Sequence, residues 1–353
     1  MRKLASVQVV KAVTPIPWAD RLEVLEVLGW KVVAQKGEFS VGDKVIYCEV
    51  DSLLPERPEF EFLRTKCYKP EHKEGGQVLL RAGFRIKTIK LKGQVSQGIV
   101  FPMSILGRDA EVGDDVSEAL GVIKYDPPVP AHLAGKVKGN FPEALLPKTD
   151  ETRVQLLEDL LVENKGKALY YTEKVDGAST TIAVYEDQDY VCSRNLRLDE
   201  NDQGSTICQL VQKMNLLSKL RDLRERDGVW YAIQAEILGP GIQKNRYALK
   251  DPQFRVFNLL ALRGPGDPVY LGWTHLQMVA RYLGLETVPY LGSLTLNHSV
   301  DDLVELSKGR STINPKVHRE GVVLRTFGGQ EPYGADRVSF KAINPDFLLK
   351  YDE

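Results

Sequence analysis

Glu173-Lys174-Val175-Asp176-Gly177-Ala178-Ser179 decides how this chain is read. The stretch lies between two strand-like runs, Leu169–Lys174 and Thr180–Tyr185. It therefore places a lysine at a strand end, an acid two residues on, and a flexible glycine beside it. A lysine so placed is a candidate nucleophile. With a reference pKa of about 10.4, its amine is neutral only about once in a few thousand molecules at pH 7. The chemistry therefore needs desolvation or a nearby cation to disfavour the ammonium. A K-x-D-G match arises by chance in roughly one chain in ten of this length, so the weight falls on the motifs C-terminal to it.

Five further elements come after it in order. They are Ser193-Arg194-Asn195, then Gln234-Ala235-Glu236-Ile237-Leu238-Gly239 with Gly241-Ile242-Gln243, then Phe254-Arg255-Val256-Phe257-Asn258, Arg319-Glu320-Gly321-Val322-Val323 and Ser339-Phe340-Lys341. Asp176, Glu236 and Glu320 fall at or near predicted strand ends, where they can converge on one site. Glu236 sits inside the apolar run Ile233–Leu238, and a buried carboxylate needs a partner, either a core cation or a bound ion. By residue type alone, Phe257 suits a core position as well as a base-stacking one.

This ordered set resembles the covalent nucleotidyltransferase superfamily of ATP-dependent ligases and capping enzymes. It is most similar to the ATP-dependent RNA ligases whose OB module precedes the ligase domain. The resemblance implies an α+β fold: an N-terminal OB-type β-barrel followed by an α+β nucleotidyltransferase (ATP-grasp-like) domain built on antiparallel sheets. It implies an RNA ligase that joins 3′-OH and 5′-phosphate ends, in particular nicks in duplexes, through a lysyl-AMP on Lys174. ATP and Mg²⁺ or Mn²⁺ are the implied cofactors, and RNA or an RNA-containing nicked duplex the implied partner. Asp176, Glu236 and Glu320 would hold the metal through waters, with Glu236 also contacting the nucleotide. Thr172 and the backbone of Glu173 would border the adenine and Phe257 would stack on it. Arg194 would meet a phosphate, Asn195 would line the same pocket, and Lys341 would pair with the α-phosphate.

Two positions depart from the superfamily pattern. Ser339 stands where a second lysine is common, so either Lys341 suffices or Arg337 supplies the charge. Asn258 stands where an aspartate is common. Only Ala342–Glu353 lies beyond the last motif, too short for a C-terminal OB domain, which argues against a GTP-dependent capping-type guanylyltransferase. Lys244 and Arg246 become candidates for orienting the leaving pyrophosphate. The other alternative is a non-catalytic RNA-binding protein with a decayed ligase domain. The intact lysine and three acids oppose it.

Composition sets the frame around these motifs. Of 353 residues, 43% are hydrophobic and 27% charged, the balance of a globular protein rather than a disordered one. A net charge of −1 excludes a global basic field, so nucleic acid would be held by a local patch. Cys48, Cys67, Cys192 and Cys208 form no C-x-x-C pair, and the five histidines have no metal-like spacing. No signal peptide or membrane span is legible, so a cytoplasmic protein is the expectation; the implied mechanism requires no more than a monomer and implies no protein partner.

Residues 1–125 read as the OB module, with strand-like runs at Leu4–Val13, Leu22–Val33, Lys44–Val50, Arg85–Leu91 and Gly98–Met103. Two segments, Val41-Gly42-Asp43 and Val112-Gly113-Asp114, read as turns. The charged insertion from Pro55 to Gly76 reads as a surface loop. Arg85, Lys87, Lys90 and Lys92 form either a nucleic-acid face or a charge-protected edge. A Pro-rich linker is expected over 126–150, its lysines Lys136, Lys138 and Lys148 either solvated or touching phosphates. Residues 151–353 form the expected nucleotidyltransferase domain. Its helices are predicted at Thr152–Glu163, in one longer run after Ser205, near Thr274–Leu283 and at Val300–Ser307.

Overall fold

The computed structural model describes residues 2–74, 77–126, 135–329 and 337–351. Of the expected linker, residues 127–134 lie outside the described residues, as does His132. The described residues fall into two compact units. Met1–Pro128, Gln155–Glu158 and Pro345–Glu353 belong to one, and Val129–Val154 with Asp159–Asn344 to the other. No helix among the described residues is long and apolar enough to cross a membrane.

The first unit is an OB-type barrel. Its main sheet has the strand order Ile99–Pro102, Lys44–Cys48, Ala5–Pro15, Leu22–Val27, Trp30–Gln35, all antiparallel. The first half of Ala5–Pro15 pairs with Lys44–Cys48. After a bulge between Val10 and Ala12, the second half pairs with Leu22–Val27, so one strand bends the sheet round a core. Gln97 N–H donates to Lys31 O at 2.9 Å and brings the two sheet edges together. Trp30, Val32, Val45 and Tyr47 fill one core, and Ile46, Leu54, Phe60 and Phe84 another.

Both Val-Gly-Asp segments are turns that dock on the first strand. Asp43 accepts from Ser40 N–H at 2.7 Å and Asp114 from Glu111 N–H at 2.9 Å, while Gly42 and Gly113 donate to Val10 O and Val7 O.

In three places the barrel differs from the expectation. The run Leu22–Val33 is a hairpin, because Leu28 turns into the left-handed region with φ of 54° before Gly29. Arg85–Leu91 is two strands, Gly83–Arg85 and Ile89–Leu91, in different sheets. The insertion after Pro55 is not a bare surface loop. It carries a 3-10 helix at Pro58–Leu63, and Phe60 is fully buried, edge-on to Phe101 at 5.1 Å. Its charged surface hides that single aromatic anchor.

The second unit is α+β on two antiparallel sheets. The larger runs Val137–Asn140, Leu196–Leu198, Gln188–Cys192, Ala178–Tyr185, Trp230–Leu238, Gln253–Leu262, Pro268–Tyr270, with Glu286–Thr287 added in parallel to Gln253–Leu262. The smaller runs Tyr290–Thr295, Ala168–Lys174, Gly321–Thr326, Ser339–Ile343. Helices Thr206–Lys213, Leu216–Asp227 and Trp273–Leu283 bury Ile207, Val211, Leu220, Leu223 and Leu276 in one core with Ile182, Val184 and Ile233.

The longer helix expected after Ser205 is two helices. Asn215 takes φ of 53° between them, and the apolar spacing continues across the break. Thr152–Glu163 is likewise not one helix. Arg153 forms a parallel bridge with Lys341, and Lys341 N–H donates to Thr152 O at 2.9 Å, so α-helix begins only at Glu158.

Candidate active site

Lys174 ends the strand Ala168–Lys174 and pairs with Gly321, directly after Glu320. In the larger sheet, Glu236 pairs with Ser179, just beyond the Val175-Asp176-Gly177 turn. Two glycines make this convergence sterically possible. A Cβ on Gly177 would sit 2.5 Å from Ile237 O and 2.7 Å from Glu236 Cγ, and one on Gly321 would sit 2.2 Å from Ala342 O. Each is required by close approach of a neighbouring strand.

Lys174 Nζ donates to Glu320 Oε1 at 2.5 Å. Burial disfavours its ammonium, but the charges of Glu320, Glu236 and Asp176 outweigh burial and hold the group above the usual lysine value. Burial pushes the Glu236 carboxyl up to about 7, with Lys174 opposing the shift and Glu320 adding to it. Burial, then the charges of Lys174 and Arg153, brings Lys341 down to about 7. Three acids and two lysines are therefore close enough to set one another's protonation.

Asp176 is buried and forms an ion pair with Arg246, while its backbone N–H donates to the Tyr247 hydroxyl at 2.7 Å. Arg246 is thus engaged by an acid, and Lys244 is exposed. Thr172 is fully buried, and strand alternation puts it on the same face as Lys174. Its Oγ1 has no hydrogen-bond partner among the described residues. Glu173 points to the other face, where Oε2 accepts from the Thr312 N–H at 2.8 Å and the Thr312 hydroxyl at 2.7 Å. Phe257 packs against the apolar group Val175, Leu238, Tyr247 and Val288, next to the lysine-bearing turn.

Arg194 forms an ion pair with Asp150 at 2.8 Å, and its charge reaches Glu236. Asn195 is exposed, and its carbonyl accepts from Phe141 N–H at 2.9 Å. Ser339 and Arg337 join a different cluster. The Ser339 hydroxyl donates to Glu151 Oε1 at 2.7 Å, while Arg337 stacks on the Tyr270 ring at 3.9 Å and donates to Asn258 Oδ1 at 3.2 Å.

Four residues escaped the sequence reading: Asp150, Arg153, Tyr247 and Thr312. None belongs to a motif, and only Arg153 lay in a predicted element, the helix that the structure replaces with a bridge to Lys341. Among the described residues no three His, Cys, Asp or Glu side chains are grouped to hold a metal directly. Asp176, Glu236 and Glu320 still offer a set of oxygens around Lys174, the donor type that suits a hard divalent ion keeping part of its water shell.

A family model described as an OB-fold domain matches residues 4–103, and one described as RNA ligase matches residues 167–343. Among solved structures, a Naegleria gruberi RNA ligase with pyrophosphate is 33% identical, with a TM-score of 0.86, covering 100% of this chain and 99% of that one. A lysine-to-alanine variant of the Naegleria gruberi enzyme with ATP and manganese is 32% identical at a TM-score of 0.86, covering 98% of each chain. A glutamate-to-alanine variant with AMP and manganese is 33% identical at 0.85, again covering 98% of each. No curated protein sequence matches the chain.

Proposed function

The chain belongs to the RNA ligase family, and from that premise we propose that it seals 3′-OH/5′-phosphate nicks in RNA-containing duplexes through a lysyl-AMP on Lys174. The observation that carries this reading is the position of the Lys174 amine. It lies among Glu320, Glu236 and Asp176, and its charge adds to the burial that brings Lys341 down to about 7.

ATP is the nucleotide substrate. Lys174 Nζ forms a bond to the α-phosphorus as the bond to pyrophosphate breaks, and Glu320, hydrogen-bonded to Nζ, is placed to take the departing proton. Lys341 meets the charge on the α-phosphate, which restores the ammonium that burial disfavours. Thr172 Oγ1 and Phe257 border the purine, the first with an unused polar atom and the second with an aromatic face. Arg194 and Asn195 face the 5′-phosphate end. A divalent ion, Mg²⁺ or Mn²⁺, held through water by Asp176, Glu236 and Glu320, would neutralise the carboxylates that protect the ammonium and the charge developing on phosphorus. AMP then passes to the 5′-phosphate of the nick, and the 3′-OH attacks that phosphate and expels AMP. The N-terminal module, residues 1–125, holds the nucleic acid, and residues 151–353 carry the transfer chemistry.

Incubation with α-labelled ATP and a divalent metal is expected to label the protein, and Lys174→Ala to abolish the label. No adduct under any metal ends the reading, and an adduct with GTP alone replaces it by capping-type chemistry. Sealing of nicked duplexes with RNA or DNA at each end then defines the substrate.

A further inference from the structure

The chain has four tryptophans, and three are accounted for by the fold. Trp30 is fully buried, Trp273 is 6% exposed, and Trp230 lies under the Arg224 guanidinium at 4.8 Å. Trp18 is 98% exposed. It lies in the loop joining the first two barrel strands, Ala5–Pro15 and Leu22–Val27. Loops at the end of an OB barrel are where such folds meet oligonucleotides.

The loop is built to hold the indole out. Ile16 is buried and anchors it, Ala19 N–H donates to Ile16 O at 3.1 Å, and Pro15 and Pro17 restrict the backbone on either side. Trp18 takes φ of 65°, a conformation bulky L-residues avoid. An exposed indole and a disfavoured backbone both work against stability, and neither is offset by a contact of the ring within the unit.

Charges of both signs surround it, two of them exposed cations in position to meet phosphate. Lys36 N–H donates to Arg21 O at 3.0 Å, which ties the turn that follows Trp30–Gln35 to the loop. Arg21 and Lys36 are exposed and form no ion pair among the described residues. Of the acids nearby in sequence, Glu23 is buried and accepts from Gly37 N–H, while Asp20 and Glu38 are exposed. An isolated, solvent-facing indole offers a base its π-face, and Arg21 and Lys36, unlike Asp20 and Glu38, offer charge to the adjoining phosphates. A protein partner would call for a broader apolar patch.

We propose that Trp18 is a stacking platform for an unpaired base of the RNA substrate, with Arg21 and Lys36 contacting the adjoining phosphates. The inference rests on the ligase reading but is tested apart from it. Titrating the full chain with a single-stranded oligoribonucleotide should quench the exposed tryptophan's fluorescence. Trp18→Ala should remove that quench and weaken binding roughly five- to a hundredfold, with ATP labelling of Lys174 unchanged. Trp18→Phe should recover most of the affinity, and Arg21→Gln with Lys36→Gln should flatten the salt dependence by about one to two in log–log slope. Equal affinity in wild type and Trp18→Ala overturns the inference and leaves nucleotidyl transfer standing. So does self-association that Trp18→Ala abolishes, which would assign the indole to a second copy. Failure of the ligase reading is read separately, from loss of the ATP label in the wild type.

Discussion

Two groups of buried charge lie in the second unit, and they are built on opposite terms. Around Glu151 one carboxylate is held by direct contact with two guanidiniums and a hydroxyl: Arg325 at 2.9 Å, Arg337 at 3.6 Å and Ser339 at 2.7 Å. Burial works to raise the Glu151 carboxyl, but those partners overcome it and hold it below the usual range. Around Lys174 the same ingredients are left unbalanced. Glu236 is driven up and Lys341 down, both to about 7, because burial acts on each and outweighs the opposite charges nearby. A buried acid kept ionised by direct partners serves the fold, whereas groups held near the point of changing protonation are poised for a ligand.

The contrast can be broken most sharply at Glu151. Glu151→Ala strands Arg325 and Arg337 without their acid and is expected to cost about 3–5 kcal/mol in denaturant unfolding. If stability is unchanged, the cluster does not hold the fold.

Lys341→Met should reverse the pattern. Adenylation in a single-turnover assay is expected to fall by roughly 10²–10³-fold. The ligand-free protein, meanwhile, should gain stability at low pH. The folded-state lysine sits at about 7 against about 10.5 when unfolded, so folding releases a proton. The wild type therefore loses stability as pH falls from about 10.5 to about 7, and the gap to Lys341→Met should be full below that window.

Glu236→Gln sharpens the comparison with the opposite sign of pH dependence. Its carboxyl sits at about 7 folded against 4.5 unfolded, so the wild type loses stability as pH rises between those values. The variant should be more stable above about pH 7, by roughly 3 kcal/mol, and no more stable below about 4.5. Thermal melts across that range decide it.

A smaller effect is expected from Ser339→Lys, which restores the commoner motif. The new cation would meet Arg325 and Arg337 and remove a hydrogen bond from Glu151, costing about 1–2 kcal/mol with no gain in adenylation. A faster rate would mean that the serine limits the chemistry.

Much of the fold was legible, because strand and helix periodicities survive wherever one face is buried. Val300–Ser307 has the expected bounds, and Ala168–Lys174 lies within a residue of the expected Leu169–Lys174. What failed were interruptions whose breaker, Gly29 after Leu28 and Asn215 itself, was overridden by the apolar spacing around it. Leu28 and Asn215 both turn left-handed inside apolar spacing that reads straight through them. The candidate site was legible to the extent that its residues sit in ordered motifs. Tyr247 and Thr312 were not, since what draws them in is the backbone N–H of Asp176 and the carboxylate of Glu173, far away in sequence.

Residue order alone determined that this chain carries a lysine at a strand end, three acids in sequence after it and a barrel-forming segment before it. It also determined the family, because chemistry of that kind restricts which residue types can stand at each motif position. Only the tertiary structure decided how charge is shared among them. Whether Arg337 faces Lys341 or Glu151, whether Arg246 is free or tied to Asp176, and whether Glu236 keeps its proton all depend on distance and burial. Those are set by how two sheets pack, and no local stretch of sequence encodes them.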